Sequence, residues 1–240
     1  MSNTGRRGRE RAATDQDIRR TARALLVEQG PEAVTLRAIA RELGITAPAL
    51  YRYYGSRDDL VEHLRADVVA DLAADLAEDI AQLPDEGALQ LFAICKGFRR
   101  WALAHTKEFT LVFASPSGDG TLSRLDEPFG RIFLAAAGRV LAMHDLVTPS
   151  NDVVPVELRD DLSAFQAELL AVLKESGAEE FPLEKLDLGV TYLMIQFWAR
   201  LYGHVTLEVF GNYPIPFSKP DVLFDAMLAD LAREIGLTAD

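Results

Sequence analysis

Thr35–Tyr54, TLRAIARELGITAPALYRYY, is the stretch whose reading decides the fold. Leu36, Ile39, Ala40 and Leu43 recur at i, i+3, i+4 and i+7, the spacing of one buried helix face. Gly44 follows where the chain must turn left-handed, a conformation that costs glycine least. Ile45 plugs the corner, and Thr46 is a good N-cap for a second helix starting at Ala47. Pro48 suits that helix's first turn, where its missing N–H has no partner to lose. Two short helices around a tight turn make a helix-turn-helix.

The chemistry of the second helix points outward. At about 100° per residue, Ala47, Pro48, Tyr51 and Arg52 share one arc, while Leu50 and Tyr53 face broadly the other way. Small residues at its N-terminus allow close approach to a duplex, Tyr51 offers a hydroxyl to phosphate, and Arg52 offers a charge. Thr35 caps the first helix and presents backbone N–H groups and a positive dipole end to a phosphate. Arg57 opens the next helix and could hold the DNA backbone from the other side. The alternative, an ordinary buried helical hairpin, has no need of exposed aromatic and arginine residues on its shorter helix. The pattern therefore predicts that the second helix enters the DNA major groove.

Charge supports this once its distribution is read. The 240 residues carry a formal charge of −12, which taken alone argues against nucleic acid. Residues 1–57, however, hold eleven arginines against six acids, and residues 58–240 hold 14 bases against 31 acids. A basic end on an acidic body confines binding to one face, although acidic surface also serves solubility. Cys95 is the only cysteine, so no internal disulfide is possible. In LFAICKGF it reads as a buried inert thiol, with a redox sensor as the alternative. There is no secretory signal pattern, and the apolar run between Asp187 and Arg200 is too short to span a bilayer. The expectation is a soluble, cytoplasmic protein.

Along the chain, residues 1–14 read as a basic arm, either flexible or reaching into a minor groove. Thr14 or Asp15 would cap a helix to about Gln29, with Ile18, Ala22, Leu25 and Leu26 inward; Gly30-Pro31 ends it. The predicted DNA module is 15–60, with its motif at 35–54, and a helical body occupies 61–240. Residues 57–83 read as one long helix running from module to body. Its Asp67, Asp71, Asp75 and Asp79 form a carboxylate row, read as a solvated face rather than a cation site. Loops are predicted at 115–123 and 148–157, and helices at about 125–144 and 156–175. Helix 182–210 carries one stripe through Leu186, Val190, Leu193, Phe197, Leu201 and Val205, and a second through Met194, Trp198 and Tyr202. The last helix, about 220–235, presents Leu223, Met227, Leu231 and Ile235. Apolar surface on two faces needs two partners, which a homodimer built on these last two helices supplies. With no strand in view, the fold class is all-α.

Gly30, Thr35, Ile39-Ala40, Gly44, Leu50-Tyr51, Tyr54 and Leu60 resemble the N-terminal signature of the TetR family of transcriptional repressors, over about residues 15–75. The resemblance implies DNA contacts at Thr35, Arg37, Thr46, Ala47, Pro48, Tyr51, Tyr53 and Arg57. Tyr53 stands where the family usually has histidine, and Arg57 where it usually has lysine. A second stretch, Trp198-Ala-Arg-Leu-Tyr-Gly-His, is similar to the tryptophan-histidine-glycine motif of one C-terminal class, with Tyr202 in the histidine place. The family also implies a two-fold dimer reading half-sites about one DNA turn apart.

Catalytic motifs are missing, and His63, His105, His144 and His204 lack metal-ligand spacing, so no enzyme, metal or cofactor is expected. Candidate linings for a small-molecule pocket are Phe98, Trp101, His105, Phe109, Phe133, Phe165, Tyr192, Met194 and Trp198, each with core packing as the alternative. The reading is a ligand-responsive repressor that an apolar effector releases from a palindromic operator. An activator, or a DNA-binding protein without effector, is the runner-up. A helical carrier or enzyme with a vestigial DNA module is the more remote alternative.

Overall fold

A computed structural model describes residues 3–114, 128–175 and 182–237, with side chains from Thr14 onward. The predicted loop 115–123 lies outside the described residues. The described chain is all-α, with ten α-helices: α1 (Asn3–Gln29), α2 (Leu36–Glu42), α3 (Ala47–Leu50), α4 (Arg57–Ala81), α5 (Gly87–Ala104), α6 (Thr106–Phe109), α7 (Pro128–Met143), α8 (Arg159–Glu175), α9 (Leu188–Val209) and α10 (Pro220–Glu234). The predicted loop at 148–157 is irregular apart from short 3₁₀ turns at Asn151–Val153 and Val156–Leu158. The predicted helix from Val156 accordingly begins its α-turns only at Arg159. The helix predicted from Pro182 begins at Leu188, because Asp187 caps it by accepting the Val190 amide at 2.9 Å.

The chain divides into two compact units, and the division differs from the predicted one. The first unit is Met1–Asp71 with His105–Pro116; the second is Leu72–Ala104 with Ser117–Asp240. Helix α4 thus gives its first part to one unit and its last turns to the other.

Aliphatic side chains build the first unit's core. Ile18, Leu26, Ile39, Leu50, Leu60 and Leu64 are fully buried, and Leu111 joins them from the later segment. That segment ties in by polar contacts as well. Lys107 donates to the Val27 and Glu28 carbonyls, at 2.7 and 2.9 Å, where α1 leaves carbonyls without helical partners. Arg65 Nε donates to the Leu111 carbonyl at 3.1 Å. Glu108, only 3% exposed, accepts from Arg23 Nε at 2.6 Å and lies 2.9 Å from His105 Nδ1.

Two expectations about α1 and α4 change. Helix α1 starts at Asn3 rather than at Thr14 or Asp15. Residues 6–13 are mostly arginine, alanine and glutamate, all good helix formers, so the backbone has no cause to break. Asp15 therefore lies inside the helix, and its carboxylate accepts the Tyr54 hydroxyl at 2.6 Å. The carboxylate row of α4 is also more than a solvated face. Asp67 lies 3.1 Å from Arg19 Nε, Asp71 pairs with Arg23, and Asp79 pairs with Arg100.

In the second unit α5 packs on α7 and α9, and α9 packs on α8 and α10. A Cβ on Gly97 of α5 would lie 2.6 Å from Leu76 Cδ2, so glycine allows α4 and α5 this approach. Leu134 and Leu141 of α7, Leu169 and Leu173 of α8, and Val190 of α9 form one apolar cluster with Leu186. Cys95 is buried, and burial pushes its thiol pKa up, so the thiolate is disfavoured. Helix α10 carries two apolar stripes that share Leu231, the inward one and the predicted one. Phe224, Leu228, Leu231 and Ala232 are buried, whereas Leu223 and Met227 remain half-exposed.

Candidate nucleic-acid interface

The turn in the motif has the predicted cause and a fuller geometry. Gly44 has φ +65°, the Ile45 amide donates to the Ala40 carbonyl at 3.0 Å, and the Gly44 amide donates to Arg41 at 3.2 Å. These two bonds form a Schellman cap that closes α2 and aims the chain into α3. Helix α3 is a single turn, and hydrogen-bonded turns carry it on through Tyr54 rather than a continuous helix. Buried Leu50 and Tyr54 pin it from below. The Tyr54 hydroxyl, whose pKa is raised by burial and by its bond to Asp15, stays a protonated donor.

The predicted contact residues separate into three groups. Tyr51 is 54% exposed, and Arg37, Thr46, Pro48 and Arg52 are exposed with it. Among the described residues the side chains of Arg37, Tyr51 and Arg52 have no hydrogen-bond partner. Thr46 occupies the N-cap position of α3, yet its hydroxyl makes no cap bond there. Pro48 has no amide to offer, and the Ala49 amide donates to the Thr46 backbone carbonyl instead, at 2.9 Å. Thr35 caps α2, its hydroxyl accepting the Ala38 amide at 3.1 Å, which leaves its own O–H able to donate. Ala47 and Tyr53 form a second group, half-buried against the module's core. Tyr53 thus packs inward by one edge, as its place opposite Tyr51 implies. Arg57 stands alone in the third. Its Nε donates to the Val34 carbonyl and its Nη2 to the Pro31 carbonyl, both at 2.8 Å.

Comparison with known proteins decides what this corner is. Residues 18–64 match the family model of bacterial regulatory proteins of the tetR family. Residues 91–231 match a tetracyclin repressor-like C-terminal domain. The chain belongs to the TetR family. It is 31% identical over 237 residues to the HTH-type transcriptional regulators Mb1846 of Mycobacterium bovis and Rv1816 of Mycobacterium tuberculosis, covering 94% of this chain and 95% of each relative. The solved structure of SCO4313 shares the fold at a TM-score of 0.59 and 24% identity, over 93% of this chain and 97% of that one. A Rhodococcus protein of unknown function aligns at a TM-score of 0.56 and 16% identity, over 92% and 94%. The chain is accordingly a DNA-binding transcriptional regulator.

The nine residues proposed for a pocket are divided between the two units of this TetR-family chain. Phe98, Phe133 and Trp198 do meet, in a cluster with Phe129 and Tyr202 that the sequence reading had not included. Their ring centroids lie 5.1–6.2 Å apart, and Trp198 stacks on Tyr202 at 5.7 Å. Trp101 is buried on α5. Phe165 and Met194 instead pack on the α7–α8–α9 apolar cluster, and Tyr192 is half-buried on α9. His105 and Phe109 belong to the first unit, where His105 precedes α6 beside Glu108 and Phe109 stacks on Phe113 at 5.2 Å. Helix α5 ends at Ala104, a break the helical periodicity of 98–113 does not show. Among the described residues no three metal-ligating side chains converge, and no helix is long and apolar enough to cross a membrane.

Proposed function

We propose that this TetR-family chain is a homodimeric repressor that binds a palindromic operator and is released by a small apolar ligand. The observation that carries the DNA half is the bare set Arg37, Thr46, Pro48, Tyr51 and Arg52. It surrounds a buried aliphatic core at the chain's basic end. Thr35 and the N-terminus of α2 add phosphate donors, and half-buried Ala47 and Tyr53 flank them. The dimer reading rests on surplus apolar surface. Residues 192–198 of α9 are all half-exposed, as are Leu223 and Met227 of α10. The ligand reading rests on the uncharged ring cluster of Phe98, Phe129, Phe133, Trp198 and Tyr202, which an apolar molecule would have to part. Such a molecule releases DNA only if it binds better to the form that does not fit the operator.

The test is a selection of duplexes from a randomised library by the full-length protein, followed by binding across a salt series. A palindromic consensus, a steep fall of affinity with salt and loss on Tyr51→Ala support the reading. Enrichment of no sequence, or binding indifferent to salt, would sink it. Native mass spectrometry of the purified protein, before and after organic extraction, reads the ligand half.

A further inference from the structure

Arg57 is the first residue of α4, where the helix macrodipole disfavours a cation. Capping of α4 does not need it. Ser56 Oγ accepts the Asp59 amide at 3.0 Å, an N-cap bond, and the Asp59 carboxylate accepts the Gly55 amide one residue before the cap at 2.9 Å. The guanidinium instead turns back onto the connection between α1 and α2. Its fork serves the Pro31 and Val34 carbonyls, the two ends of the 3₁₀ turn at Pro31–Ala33. Val34 is fully buried, and the next residue is Thr35, the cap of α2. Three N–H groups are left over, two on Nη1 and one on Nη2, and Nη1 lies 3.8 Å from the carboxylate of Asp58, which is 91% exposed. A phosphate approaching that edge meets an anion.

We propose that Arg57 is a positioning residue of DNA reading rather than a phosphate ligand: its two carbonyl bonds set the entry to α2 and thereby where Thr35 and the α2 N-terminus meet the backbone. The inference rests on the operator-binding reading above. The planar fork suits arginine to this place, since Nε and Nη2 each serve one carbonyl in a fixed geometry, whereas an ammonium presents its donors from a single mobile atom.

The experiment uses full-length wild type, Arg57→Lys and Arg57→Gln on the duplex that the wild type selects from a randomised library. Affinity is measured from about 50 to 300 mM KCl, at a temperature where circular dichroism shows each protein fully folded. Both variants are expected to bind about tenfold more weakly, the worth of a charge-assisted hydrogen bond, with the wild-type salt slope retained. Arg57→Lys keeps the charge and one possible bond, so it remains informative if Arg57→Gln folds poorly. Wild-type affinity in Arg57→Lys, with a slope flattened by about 0.9 per lost contact in Arg57→Gln, would mark a phosphate ligand and overturn the proposal. Wild-type binding by both variants with only a lowered melting temperature would reduce Arg57 to a structural role and also overturn it. A wild type that selects no duplex overturns the operator reading itself.

Discussion

The helix-turn-helix corner and the α9–α10 face of the body solve opposite problems with similar apolar content. At the corner Leu36, Ile39 and Leu50 are buried and Leu43 and Ile45 half-buried, and the predicted contact residues left exposed are Arg37, Thr46, Pro48, Tyr51 and Arg52. Along α9 the run from Tyr192 to Trp198 is half-exposed throughout, and α10 adds Leu223 and Met227. The corner is complete as a single chain and presents hydrogen-bonding groups in fixed places. The α9–α10 face leaves its apolar surface half-exposed in the single chain. In the homodimer proposed above the two are complementary, since preorganised groups would read DNA and exposed apolar area would recruit a second reader.

The difference can be broken most directly by cutting the corner's core. Ile39→Ala, fully buried, is expected to cost about 2–5 kcal/mol in urea unfolding, whereas half-exposed Phe197→Ala should cost much less at low protein concentration. Equal losses would erase the contrast. Hundredfold dilution is the next largest lever. If the α9–α10 face is covered by a second copy, dilution lowers the stability of the native dimer by about 2.7 kcal/mol, visible as a falling melting temperature. A melting temperature independent of concentration would mean the face stays uncovered.

Glu108→Ala probes the segment that joins the corner from later in the chain. It leaves Arg23 without one of its two carboxylate partners, and a loss of about 1–3 kcal/mol is expected, less than for a fully buried pair because Arg23 is partly exposed. Tyr51→Ala should leave stability within about 0.5 kcal/mol and still lower operator affinity roughly tenfold, separating reading from folding. The smallest effect belongs to His204, whose pKa burial lowers from 6.5 against the opposing pull of Glu208. The unfolded chain then takes the proton first, so stability is full above about pH 6.5 and falls as pH drops through the lowered folded value. His204→Asn should flatten that part of a stability–pH curve.

Much of the corner was legible because its signals are local. The spacing of Leu36, Ile39, Ala40 and Leu43, then a glycine needing positive φ, lie within nine residues and need no tertiary context. The helices of the body were legible for the same reason, to within a few residues at their ends. What could not be read depends on partners far along the chain. Glu108 and Arg23 are 85 positions apart, and nothing in TKEF says that its glutamate is buried. The carboxylate row on α4 looked solvated because its arginines sit on α1 and α5. The pocket candidates were read from an aromatic-rich helical interior, and Phe129 and Tyr202 join Phe98, Phe133 and Trp198 through contacts between helices that the sequence along one helix does not show. On α10, hydrophobicity alone does not distinguish Leu223–Met227 from Phe224–Leu228; only the neighbour decides.

The return of residues 105–114 to the first unit has a consequence for anyone wishing to transplant this protein's DNA specificity. The reading head is not a contiguous cassette. A graft ending at residue 60 would leave behind Leu111 from its core, the lysine that closes the end of α1 and the acid that holds Arg23. A working chimera would need three seams, one within α4 near Asp71 and one at each end of the later segment's insertion. Evolution faces the same bookkeeping: recombination at a single crossover would tend to break this head, whereas point changes at Arg37, Tyr51 and Arg52 could retune it in place.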